Sequence, residues 1–147
     1  NDSMINVQSN TGKLRNYRKF KQNLNLEPYL TFNIDKCNRI NITKIRISSH
    51  VLNVERGRHK GINFVDRKCN LCNSGEVEDE VHFLLYCSKF ETQRIKCFDA
   101  LNKMLSNFSS MSENQKLSVI LAPIDYEILT TSLKFINAIY IERKNLC

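Results

Sequence analysis

From residue 13 onward, apolar side chains recur at helical spacing with charged residues between them. Leu14, Tyr17, Phe20 and Leu24 fall three, three and four apart, which predicts an amphipathic helix over Lys13–Leu24. Its other face would carry Lys13, Arg15, Arg18, Lys19 and Lys21. A basic helix of this kind either lies along phosphates or is a core-facing stripe with a wet back, and the stripe is the commoner case. Residues 1–12 are polar and end on Gly12, which reads as a linker or frayed end. Pro28 opens a short helical turn through Tyr29, Leu30 and Phe32. Asp35 then reads as the N-cap of a helix from Lys36 to about Ser49, with Ile42, Ile45 and Leu52 in register. Ile40/Ile42 and Ile45/Ile47 also alternate as in a strand, but the alternation is not sustained, so helix is the better reading. A short helix follows and is expected to end on Gly57, with a connector through Gly61 and Asp66.

The C-terminal third is plainly helical. Ser88-x-x-Glu91 has the form of a capping box, with Phe90, the Arg94 stem, Phe98, Leu101 and Leu105 on the inner face behind it. Residues 106–110 read as a loop. Ser112-x-x-Gln115 is a second box, opening a helix with Leu117, Ile120 and Leu121 that Pro123 stops. Asp125 caps the longest helix, whose apolar face is Ile128, Leu129, Ser132, Leu133, Phe135, Ile136, Ile139 and Tyr140. The expected fold is mostly α: one compact domain with a basic helical segment over 13–68, a central motif over 69–87 and a helical segment over 88–147. At most a short β-ribbon is foreseen, and no internal repeat is visible.

That central motif is Cys69-x2-Cys72-x9-His82-x4-Cys87. Three soft thiolates and one imidazole suit a four-coordinate Zn²⁺, and a set closed by four protein ligands makes the metal structural. Two cysteines two apart can turn both sulfurs inward from a tight knuckle, which Gly75 lets the backbone leave. His82 and Cys87 lie about 140° apart on an ideal α-helix, so the helix has to loosen or end near Tyr86–Cys87 for both to face one ion. The bland alternative is three buried thiols and a surface histidine. Three cysteines and one of only three histidines within this short stretch weigh against it.

The remaining composition narrows the picture. With 147 residues the chain supports one domain with a real core. No apolar run approaches bilayer length, so no membrane partner is expected. Cys37, Cys97 and Cys147 are scattered singles, which argues against a disulfide framework and for an intracellular chain, nuclear or cytoplasmic. Cys97 falls on an inner helical face and reads as a core thiol. The chain opens on Asn1 and not on a methionine, as a piece of something longer or a processed product would. Residues 1–68 carry 14 Lys/Arg against 5 Asp/Glu, and residues 69–147 carry 8 against 10. So uneven a charge points to an acidic polymer, RNA or DNA first, with a solvated surface or an acidic neighbouring domain as the bland alternative.

Three groups of residues, taken together, resemble a known segment. They are Lys13-Leu-Arg15-x-Tyr17-Arg18 with Glu27-x-Tyr29-Leu30; Arg46-x-Ser-Ser-His50-x-Leu52-x-x-Glu55-x-Gly57-Arg58; and Arg67-x-Cys69-x-x-Cys72 with Val77-Glu-Asp-Glu80-x-His82-Phe-Leu84-x-x-Cys87. This order resembles the zinc-binding region that follows the polymerase domain in reverse-transcriptase-like proteins of non-LTR retrotransposons, over most of residues 13–100. The usual proline after the last cysteine is Ser88 here. The resemblance implies a nucleic-acid-binding tail, with the upstream polymerase domain as a further partner. No Tyr-x-Asp-Asp polymerase sequence occurs, so the piece is not expected to be an enzyme.

Candidate phosphate contacts are Arg15, Arg18, Lys19, Lys21, Arg56, Arg58, Lys60, Arg67 and Lys68. Arg46 is weighed as one more, but a structural ion pair with Glu55 or Glu80 is preferred for it. The rival function is a protein-interaction zinc module. A two-metal nuclease built on Glu78, Asp79 and Glu80 is the weakest reading, because consecutive side chains splay around a helix.

Overall fold

Three helix starts are made by short side chains that reach back to orphan backbone N–H groups. Asp35 accepts from Asn38 N–H at 2.9 Å and opens the helix Lys36–Arg46. Ser112 and Gln115 close the reciprocal capping box, and Asp125 accepts from the N–H groups of Glu127 and Ile128. The computed structural model describes residues 12–21 and 24–146. The linker expected over 1–12 lies outside them apart from Gly12, as does Cys147.

In chain order the helices are α1 (Tyr17–Phe20), α2 (Lys36–Arg46), α3 (Asn53–His59), α4 (Glu91–Met104), α5 (Glu113–Leu121) and α6 (Tyr126–Asn145). Short 3₁₀ turns stand at Pro28–Leu30, Phe64–Asp66, Ser88–Phe90 and Phe108–Ser110, and a π-helical turn spans His82–Tyr86. Among the described residues the one β feature is an isolated antiparallel bridge between Lys68 and Val77. The architecture is mostly α, as the periodicity predicts.

The longest helix, α6, is the centre. Helices α2, α4 and α5 all pack on it, and Leu129, Leu133, Phe135, Ile136, Ile139 and Tyr140 are buried there. Each such aliphatic or aromatic side chain contributes about 1.5–3 kcal/mol on burial. Phe98 of α4 meets Phe108 edge-on at 5.1 Å and Phe135 of α6 at 6.5 Å. Phe108 is thus a core residue in what reads from sequence as a loop. Phe83 meets Phe90 edge-on at 5.2 Å and ties the π turn to the start of α4.

Four sequence expectations are corrected. The helix expected over Lys13–Leu24 is only α1, because Leu14 takes a left-handed φ of 62°. That kink turns Arg15 and Asn16 inward, where a continuous helix would leave Arg15 on the wet face. Helix α3 runs through Gly57 and ends at His59. Gly61, at φ 68°, is the terminator: its N–H reaches Arg58 O, and Ile62 N–H reaches Gly57 O, the two bonds of a Schellman motif. Gly57 itself is needed for closeness, since a Cβ there would lie 2.5 Å from Arg67 Cγ. Ser88 makes no side-chain cap; a 3₁₀ turn closed by Phe90 N–H on Cys87 O precedes α4, which starts at Glu91. Finally, Arg46 does not meet Glu55 or Glu80. It bonds Glu27 and Leu121 O, and its guanidinium lies 4.5 Å from the Phe20 ring centroid and 4.8 Å from that of Tyr29.

Arg143, on the last turns of α6, is fully buried and grips both carboxylate oxygens of Glu78. Arg143→Ala strands a buried carboxylate and should cost about 3–5 kcal/mol. The urea midpoint should fall with an unchanged slope, and adding Glu78→Gln should recover part of the loss.

Candidate metal centre

The knuckle begins where Cys69 N–H donates to Glu76 O at 2.8 Å and Glu78 N–H to Arg67 O at 3.0 Å. Gly75, at φ 73°, lets the chain reverse between these two bonds. The backbone N–H groups of Leu71 and Cys72 turn onto Cys69 Sγ, and that of Lys89 onto Cys87 Sγ. Amide donors on a sulfur favour the thiolate form that a metal needs.

The second pair comes from the π turn. Its closing bond, Cys87 N–H to His82 O at 2.7 Å, joins residues five apart. An i→i+5 turn is wider than an α turn, and it brings His82 and Cys87 closer to one face than α geometry would. The loosening that the spacing predicts near Tyr86–Cys87 therefore takes the form of a π turn. Asp79 accepts from His82 N–H at 2.8 Å and starts this turn.

The four ligand atoms of Cys69, Cys72, His82 and Cys87 all lie within 4.8 Å of one another and could hold one metal ion. Cys69 Sγ is 3.9 Å from Cys87 Sγ, and Cys72 Sγ is 3.3 Å from His82 Nε2. Metal–sulfur bonds of about 2.3 Å at tetrahedral angles put sulfurs about 3.8 Å apart, so the Cys69–Cys87 spacing matches that of two ligands of one ion. Cys69, His82 and Cys87 are buried and Cys72 is half-buried. A hydrogen bond from Cys87 draws the Cys69 thiol down to about 3, and His82 adds to this against the effect of burial. Cys87 is pushed up by the same bond. His82 is raised, first by its hydrogen bond with Cys69. Cys97 stands apart: burial pushes its thiol up to about 12, as befits a core residue.

Beside the ligands, three consecutive carboxylates turn to three different partners. Glu78 binds Arg143 and accepts from Asn53 N–H, which caps α3. Asp79 starts the π turn, and burial raises its carboxyl. Glu80 is fully buried and takes Arg15 Nε and Nη2, Asn16, Ser48 and His50. Burial opposes its charge, but the bonds from His50 and Arg15 hold it at about 2. The splay speaks against a shared nuclease site.

The basic candidates divide. Arg15 is buried between Glu80 and Glu55, a place the sequence reading gives to Arg46. Lys21 pairs with Glu27 at 2.7 Å, and Arg58 with Glu55 at 2.9 Å. Lys19 is exposed, and the Arg18 side chain lies outside the described residues. Arg56, Lys60, Arg67 and Lys68 come together around one cleft of ≈ 240 Å³, with Asn53, Asn70 and a single acid, Asp66. Arg67 braces this cleft by donating to Ile62 O and Val54 O. Sequence reasoning misses Arg143 and the inward turn of Arg15. Neither has a local signal, because both partners sit 65 residues away.

No known protein family, curated protein or solved structure matches the chain.

Two outcomes test this geometry. Cys72→Ser or a strong chelator should abolish stoichiometric metal and speed amide exchange at Cys69 and Glu78, whereas Cys97→Ser should keep the metal. Separately, burial pushes the Glu55 carboxyl up, but bonds from Arg15 and Arg58 outweigh it and hold it below its usual 4.5. Its stabilising effect is complete above pH 4.5 and is lost as pH falls through the lowered folded value. Glu55→Gln should therefore lower stability at neutral pH and flatten its decline in acid, read by urea titrations across that range.

Proposed function

We propose that the chain is a zinc-stabilised nucleic-acid-binding module from the C-terminal tail of a retrotransposon reverse transcriptase. RNA or DNA phosphates would sit on Arg56, Lys60, Arg67 and Lys68. The observation that carries this reading is the cationic cleft beside the knuckle. Among the described residues, no carboxylate lies within ion-pair distance of Arg56, Lys60 or Lys68. Arg15, Arg46 and Arg143, buried elsewhere in the molecule, are matched with acids, so the cations here, with no acid in reach, are available to a ligand.

Zinc is the ion that three thiolates and an imidazole favour. Four protein ligands leave it no open position, so its role is structural, and about 10–16 kcal/mol of binding energy would serve folding. The parentage is supported by where the motif residues meet: Arg15, Ser48, His50, Glu55 and Glu80, far apart in sequence, share one buried hydrogen-bonded cluster. Zinc thus holds the acidic triplet, and the triplet holds the basic half in place. The piece would bind without catalysing.

One observation favours docking on a protein, such as the upstream polymerase domain, as a second activity. Leu24, Leu26 and Ile124 are largely exposed, and a cleft of ≈ 370 Å³ opens between Phe20, Leu26, Pro28 and Ile124.

Fluorescence anisotropy on labelled RNA and DNA tests the proposal. Affinity should fall by about two orders of magnitude between about 50 and 200 mM salt for four phosphate contacts, and by about tenfold in Lys60→Glu/Lys68→Glu. Binding that ignores salt, or that is absent for every nucleic acid, would overturn it and leave the protein-docking reading.

A further inference from the structure

Helix α3 has a second cationic cleft on its other side. This one also measures ≈ 240 Å³ and is lined by Lys13, Lys44, Ser49, Arg58, His59 and Lys144. Glu55 lies in its wall, already matched by Arg15 and Arg58. Among the described residues, no carboxylate is within ion-pair distance of Lys13, Lys44 or Lys144. Lys144 Nζ rests 4.8 Å from the Tyr140 ring centroid, which orients it.

The two clefts are related through α3. At about 100° per residue, Asn53, Arg56, Gly57 and Lys60 fall along one flank, and Glu55, Arg58 and His59 along the opposite one. Val54 is buried on the side facing the core, so the exposed crest between the clefts is Arg56 and His59, with Lys60 at the end of the first flank. An exposed helical crest with unpaired cations in a cleft on either side presents two rows of positive charge.

Resting on the phosphate-binding reading above, we propose that the ligand is double-stranded DNA, with α3 as the ridge that enters its major groove. A helix with side chains is about 10–12 Å across, and the B-form major groove is about 12 Å wide. One strand's phosphates lie on Lys60 and Lys68, and the other's on Lys44 and Lys144. On a duplex the crest residues face the base edges: His59, and also Arg56, which takes a phosphate only when a single strand lies in its cleft. Duplex RNA does not fit, because its major groove is too narrow to admit a helix. A single strand would occupy one cleft and leave the other idle.

The test compares a B-form DNA duplex, an RNA duplex and single-stranded DNA of one sequence, at one salt concentration, by anisotropy. The variants are Lys44→Glu/Lys144→Glu, its milder form Lys44→Gln/Lys144→Gln, and Lys60→Glu/Lys68→Glu, each checked for helicity and metal content. The DNA duplex should bind about tenfold or more tightly than either alternative. Lys44→Glu/Lys144→Glu should weaken duplex binding about tenfold and lower its salt slope by about two, while single-strand binding changes by less than about twofold. If the charge-reversed pair misfolds, the Gln pair should show the same selective loss at smaller size. Unchanged duplex affinity in a folded Lys44/Lys144 variant, or equal binding of duplex RNA, overturns this inference. In either case a loss in Lys60→Glu/Lys68→Glu would keep the broader phosphate-binding reading. Failure of the unmodified protein to bind any of the three probes sinks both.

Discussion

Three sulfurs and one imidazole nitrogen within 4.8 Å of one another are the constraint on which the rest of the molecule hangs. The stretch from Arg67 to Asp79 contains no helix of its own; its local support is a knuckle and one β-bridge, made by the Cys69–Glu76 and Glu78–Arg67 backbone bonds. One ion bound by Cys69, Cys72, His82 and Cys87 would tie that stretch to the π turn at both ends. The π turn itself is seated on the helical body through Phe83 and Phe90.

Glu78, Asp79 and Glu80 carry the effect of that closure into the body of the molecule. They stand immediately before a ligand, so a bound ion would fix where they point. Glu78 reaches the far end of α6 and caps α3; Glu80 gathers Arg15, Ser48 and His50. The desolvation of Glu78 and Glu80 is offset because each finds several donors, and losing one donor would leave a charge stranded in the interior. The basic half of the chain is thereby pinned to the acidic half at two buried points. Among the described residues, cations with no carboxylate partner remain on the two sides of α3, where the proposed polyanion would lie.

How much of this is legible in the sequence depends on range. Asp35, Ser112 and Asp125 announce their helices because a cap is satisfied within three residues. The metal ligands are legible because knuckle spacing is local chemistry. Arg15 reads wrongly as a wet-face cation, since only the left-handed Leu14 sends it inward and apolar periodicity contains no hint of that. Arg15 takes the place expected of Arg46 for the same reason: the acids are identifiable, but which arginine reaches them is a matter of long-range packing. Gly57 is mistaken for a stop because glycine near a helix end usually is one. Its use is to admit the Arg67 side chain, and the stop comes four residues later. Arg143 gives no sign at all, being one more basic residue in the last turn of a helix, where the macrodipole would welcome it anyway.

Metal K-edge absorption on the purified chain addresses the closure itself. Three sulfur neighbours at about 2.3 Å and one nitrogen at about 2.0–2.1 Å, on one ion per chain, are predicted. A first shell of oxygen and nitrogen alone, or a folded chain whose three thiols titrate freely with no metal bound, would contradict the account.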